Sequence, residues 1–149
     1  MTRRELAGVR GARGFTLIEL LVVIVIIGVL AAVVGPRLFG KTDQAKVAAA
    51  KAQIENFAMA LEGYQLDNGF LPTTEQGLKA LVEKPTTKPT PQNWRGPYLK
   101  KKEIPADPWG NPYDYKCPGK NNADQFDLMS FGKDGKEGGD GDAKDITNW

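Results

Sequence analysis

The twelve residues DGKEGGDGDAKD, Asp134 to Asp145, hold five acids and four glycines against two lysines. A stretch of that composition cannot build a core, and its plainest reading is a solvated loop. Carboxylates at this density also offer what a hard cation requires. Calcium takes six to eight oxygens at roughly 2.3–2.6 Å, and glycines let main-chain carbonyls turn toward the ion. The density of acids and the glycine content therefore favour a calcium site. It is not an EF-hand, because with Asp134 at the first loop position the third and fifth are Lys136 and Gly138. Nor is it a calcium-binding nonapeptide repeat, since Asp142 falls one place early and there is no second copy.

Glu19 raises a different question, because it stands inside an apolar run. From Phe15 to Gly35 the only polar residues are Thr16 and Glu19. A carboxylate in lipid costs a few kcal/mol even on lenient insertion scales, and one near the interface is usually an acid that snorkels to water. Catalysis by the common devices is excluded by inventory. There is no histidine, Ser130 is the only serine and Cys117 the only cysteine, so a Ser-His-Asp triad, a Cys-His pair, a His-ligated zinc and an internal disulfide are all absent. The 20 basic and 18 acidic residues nearly cancel, which gives no reason to expect nucleic acid. Residues 1–14 carry four arginines against Glu5, whereas the rest of the chain is nearly balanced.

These residues need elements to position them. The 21 residues from Phe15 to Gly35 would span about 31 Å as a helix, the thickness of a hydrocarbon core. The arginines before them predict an N-terminus in the cytoplasm and the remainder on the far side. A cleaved secretory signal fits less well, because the run exceeds the usual h-region and no small-x-small site closes it. Gly35-Pro36 should kink or locally open the helix. Beyond it Val47, Ala50, Ile54, Phe57, Leu61 and Tyr64 recur at steps of three and four, an amphipathic helix that should end near Asp67-Asn68-Gly69.

Thr73 and Gln76 form a capping box ahead of Leu78 and Leu81, which predicts a short helix stopped by Pro85, Pro89 and Pro91. Proline and glycine turns between Gly96 and Met129 separate the aromatic runs YDYKC and QFDLMSF, which read as two or three strands. The fold class is α+β: a long N-terminal helix, its first half transmembrane, packed on a small antiparallel sheet that buries Phe57, Leu61 and Tyr64. Trp109 in DPWGNP is expected to plug the space between strand and helix, and Lys100-Lys101-Lys102 to be a solvated face.

Gly14-Phe15-Thr16-Leu17-Ile18-Glu19, with an arginine-rich leader before it and an unbroken apolar helix after it, resembles the type IV prepilin signature. That resemblance implies a leader of residues 1–14, cleavage by a membrane prepilin peptidase between Gly14 and Phe15, methylation of the new terminus, and a transmembrane and assembly helix over 15–35. It also implies that Glu19 meets the terminal amine of a neighbouring subunit. Both charges would be desolvated together, which makes the acid a registry device.

Five ordered blocks then narrow the family: TTEQGLKALV, GPYLKK, DPWGNPYDY, FGKDGKEGGDGDAKDI and the terminal NW. Together they resemble the major pseudopilins of type II secretion, in the type IV pilin superfamily. The resemblance implies a pilin-like fold with a periplasmic domain over 36–149 and one calcium in a loop over 131–146. Asp134, which follows the FGK of the family's loop entry, would be a ligand, with Asp140, Asp142, Asp145 and a carbonyl near Phe131 as further candidates.

The implied function is that of a non-enzymatic subunit, anchored by a single pass in the bacterial inner membrane and then added to a helical periplasmic pseudopilus that helps export folded proteins. No GxxxxGK[ST] loop is present, so energy must come from elsewhere. Implied partners are further copies of the chain, minor pseudopilins, an inner-membrane platform protein and its cytoplasmic ATPase. The rival readings are an adhesive or motility type IV pilin and a membrane-tethered calcium-binding module that never polymerises.

Overall fold

The computed structural model describes residues 14–149, apart from the side chains of residues 35–40 and of Asp142. The chain divides into two units after Gly40. Helix α1, Leu17–Asn68, runs through both and is followed by two short 3-10 turns and three strands.

From Leu20 to Val34, in the first unit, the helix is apolar on every side. Its window Leu17–Val34 has a mean hydropathy of 3.2 and none of it is buried by the chain itself. By length and composition it can cross a membrane. The helix continues through Pro36, and the kink expected at Gly35-Pro36 falls within residues 35–40, outside the residues described in full.

The second unit, residues 41–149, holds the core. Here α1 keeps one face dry: Ala50, Ile54, Phe57, Leu61 and Tyr64 are at most 3% exposed, while Lys51, Glu55 and Glu62 face solvent. That is the amphipathic stripe read from the sequence, and the helix ends at Asn68, where Gly69 takes a φ of +81° that L side chains avoid. The Phe57 ring meets Tyr113 edge-on at 5.1 Å, and Tyr64 packs against Phe70 and Tyr98. Burial raises the Tyr64 hydroxyl to about 12, with a further push from Tyr98.

The capping box forms as expected. Gln76 N–H donates to Thr73 Oγ1 at 3.2 Å, and Thr73 N–H donates to Gln76 Oε1 at 3.1 Å. The regular helix expected after it does not. Residues 74–77 make a turn and only Leu78–Leu81 is helical, as a 3-10 turn, because Gly77 adopts φ +59° and breaks the ladder.

Strands β1 (Asp114–Lys116), β2 (Asp127–Ser130) and β3 (Ile146–Thr147) form an antiparallel sheet in that order. Tyr115 opposes Leu128, and Ser130 opposes Ile146. Both expected aromatic runs supply strands. The third comes from the residues immediately after the acidic stretch, so that stretch is the connection between β2 and β3.

Candidate functional site: the helix start and the acidic loop

Residues 14–16 precede the helix and are not helical. Gly14 has open space where a side chain would stand, and Phe15 is 82% exposed. The Gly14–Phe15 peptide bond is therefore accessible. One residue on, Thr16 and Glu19 close a second capping box. Glu19 N–H donates to Thr16 Oγ1 at 3.3 Å, while Thr16 N–H and Oγ1–H both donate to Glu19 Oε2, at 2.8 and 2.9 Å. The T-x-x-E spacing carries this signal, and reading Glu19 only as an assembly residue passes over it. The acid satisfies a backbone donor at the positive end of the helix dipole. Its other oxygen, Oε1, accepts no hydrogen bond among the described residues.

The loop between β2 and β3 is shaped by its glycines. Gly132, Gly135, Gly138, Gly139 and Gly141 all have φ between +60° and +100°. Gly139 is the most constrained, since a Cβ there would run into the Ala143 carbonyl oxygen. Residues Gly141–Ala143 form a 3-10 turn, with the Ala143 N–H donating to the Asp140 carbonyl at 3.1 Å.

Of the expected ligands, Asp134 accepts from the Lys136 N–H at 3.2 Å and is exposed, as is Asp140. Asp145 is half-buried. Its Oδ2 accepts from the Gly138 N–H at 2.8 Å, and its Oδ1 is buried with no hydrogen-bond partner among the described residues. Phe131 is half-buried at the loop entrance, and the side chain of Asp142 lies outside the described residues. Among the described residues no three acids, histidines or cysteines converge on one point. The donor set nevertheless suits a hard cation. A buried carboxylate oxygen without a partner is costly unless something positive meets it, and glycine-permitted turns leave main-chain carbonyls available.

Other polar groups hold the loop in place. Lys133 forms an ion pair with Asp43 on α1, Nζ to Oδ2 at 3.0 Å. Asn111 reaches the loop from the DPWGN turn, donating from Nδ2 to the Gly132 carbonyl at 3.1 Å. Neither contact is visible locally in the sequence, because 90 and 21 residues separate the partners. Trp109 is half-buried against the core, as expected of a plug, with Lys46 over its ring at 6.0 Å from the centroid. Lys100, Lys101 and Lys102 are solvated, and Cys117 is half-buried.

Two family models match the chain with scarcely a gap between them. One, described as prokaryotic N-terminal methylation motif, covers residues 9–35, and the other, described as type II secretion system (T2SS), protein G, covers residues 37–149. The chain belongs to the type II secretion protein G family. A relative named type II secretion system core protein G from Pseudomonas aeruginosa is 55% identical over 141 residues, 94% of this chain and 96% of its own. A protein of the same name from Vibrio cholerae is 48% identical over 141 residues, covering 94% and 93%. The crystal structure of the major pseudopilin from the type 2 secretion system of enterohaemorrhagic Escherichia coli superposes with a TM-score of 0.64 at 39% identity, covering 76% of this chain and 95% of that one. The α+β architecture is thus the fold of this family: a long, apolar-ended helix with a small antiparallel sheet. The family is one of structural pseudopilin subunits that are membrane-anchored and assemble into a pseudopilus.

Proposed function

We propose that this chain is the major pseudopilin of a type II secretion system, a non-enzymatic subunit that polymerises into a periplasmic filament and helps export folded proteins across the outer membrane. The observation that carries this reading is the run of family matches over residues 9–149, with the methylation motif placed on the exposed start of an unburied apolar helix.

In this reading residues 1–14 are removed by a prepilin peptidase, and the exposed Gly14–Phe15 bond ahead of the capped helix is its substrate. The helix then anchors the chain in the inner membrane by a single pass, with the C-terminal domain in the periplasm. During assembly the ammonium of Phe15 meets Glu19 of an adjacent copy. Glu19 Oε2 is held by Thr16, which fixes the carboxylate, and Oε1 remains to accept the incoming charge. A paired ammonium and carboxylate remove each other's desolvation penalty, whereas either alone in lipid is expensive. The partners are further copies of this chain, minor pseudopilins, and an inner-membrane platform driven by a cytoplasmic ATPase.

The loop over 131–146 is proposed to hold calcium through Asp134, Asp140, Asp142, Asp145 and the carbonyl of Phe131. When bound, the ion would supply a positive partner for buried carboxylate oxygen and couple loop order to stability. The chain's own part is to present those oxygens from glycine-permitted turns between two paired strands.

Intact mass and N-terminal sequencing of the protein from native membranes test the processing step. The expected product begins at N-methylated Phe15. Retention of residues 1–14, or cleavage near Gly35, would overturn it.

A further inference from the structure

We infer that Asn111, in the turn before β1, is a positioning residue for the cation loop, an inference that rests on the calcium reading above. The observation is a closed ring of hydrogen bonds under the loop entrance. Ser130 Oγ–H donates to Asp107 Oδ2 at 2.6 Å, and Gly132 N–H donates to Ser130 Oγ at 3.2 Å. Asn111 Nδ2–H donates to the Gly132 carbonyl at 3.1 Å, and Asn111 N–H donates to Asp107 Oδ1 at 2.8 Å. Asp107 and Ser130 are buried. Both polar groups of Gly132 are thereby fixed two residues before Asp134.

Asn111 also faces the loop beyond Gly132. A Cβ added at Gly135 would lie 3.2 Å from Asn111 Oδ1, so the amide backs the chain on both sides of Asp134. The side chain's one hydrogen bond among the described residues goes to the loop backbone rather than to another part of the core. Its role is thus to set the angle at which the loop leaves β2. Groups that orient ligands without touching the ion commonly change metal affinity ten- to hundredfold. The DPWGN turn, which composition alone marks as fold, thereby gains a task at the candidate site.

The test uses full-length protein in detergent micelles, titrated with calcium chloride by calorimetry and melted in chelator and in excess calcium. Wild type is compared with Asn111→Ala and with the nearly isosteric, uncharged Asn111→Leu. The inference expects the calcium Kd to rise about tenfold or more in both variants, with the calcium-dependent rise in Tm correspondingly smaller and the Tm in chelator little changed. Equal calcium affinity in wild type and variants would overturn the inference and leave the calcium reading standing. A lower Tm in chelator with an undiminished calcium increment, or failure of both variants to fold, would also overturn it by assigning Asn111 a purely structural role. Absence of any calcium response in wild type would remove the calcium reading, and the inference with it.

Discussion

The two halves of α1 share one secondary structure and obey opposite rules of burial. Between Leu17 and Val34 every side chain is exposed, including Leu20, Ile24 and Leu30 at 54% or more. Between Ala50 and Tyr64 the residues Ala50, Ile54, Phe57, Leu61 and Tyr64 recur on one face and that face is dry, with Val47 partly buried at its edge and Met59 exposed off it. The lesson is that helicity is set locally by the backbone ladder, whereas the pattern of side chains declares the solvent. An all-round apolar surface asks for lipid or for other helices, and a stripe asks for a sheet and loops of its own chain.

Replacing Glu19 by Leu breaks the comparison most severely. The substitution makes the first half more apolar, so membrane insertion should persist, while filament formation, read by electron microscopy and crosslinking, should be lost. Filaments of normal abundance would show that the carboxylate serves only as a cap. The next effect is in the second half. Phe57 is fully buried against Tyr113, so Phe57→Ala should cost about 3–5 kcal/mol. Val25→Ala in the exposed half should change the same unfolding curve by less than about 0.5 kcal/mol. Trp94, Trp109 and Trp149 all lie in the second unit and report that transition by fluorescence. Equal sensitivity at the two sites would mean that the halves are not energetically distinct.

Asp127 sharpens the account of the periplasmic unit, because there a buried charge is held by the backbone. Burial pushes its carboxyl up. The N–H groups of Asn121, Asn122 and Lys120, with the Asn121 side chain, outweigh that and leave it below its ordinary value. A lowered folded-state pKa stabilises above the unfolded value near 4, and that contribution is lost as pH falls through the lower folded value. Asp127→Asn should therefore cost about 2 kcal/mol at neutral pH. The gap between wild type and variant in denaturant unfolding should narrow below about pH 4. A gap that persists unchanged at pH 2 would assign the loss to packing.

Much of this architecture was legible because it is written in periodicity and local chemistry. The stripe from Val47 to Tyr64, the end of α1 at Asn68 and the two aromatic strands follow from spacing and turn residues alone. The missing pieces have physical reasons. Ile146–Thr147 is a strand of two residues, too short to alternate, and exists because β2 offers it an edge. The 3-10 turn after Gly77 replaces a helix because one residue's φ overrides the propensity of LKAL. At the candidate site the sequence exposes the acids and glycines but not the ring through Asp107, Ser130, Gly132 and Asn111, whose members meet only once the sheet has formed.

The smallest expected effect concerns the two capping boxes, one in each unit. Thr73 and Gln76 exchange their hydrogen bonds at the foot of the periplasmic core, and Gln76 is buried, with its amide also donating to the Thr87 and Pro89 carbonyls. Thr73→Ala removes one of those bonds and should cost about 1 kcal/mol in the tryptophan-monitored transition. Thr16 and Glu19 make the same exchange at the membrane end, fully exposed. Thr16→Ala should leave that transition unmoved and instead loosen the carboxylate, with slower assembly at unchanged insertion. If Thr16→Ala assembles at the wild-type rate, the box at the membrane end is only a helix start, and Glu19 needs no internal partner to find its neighbour.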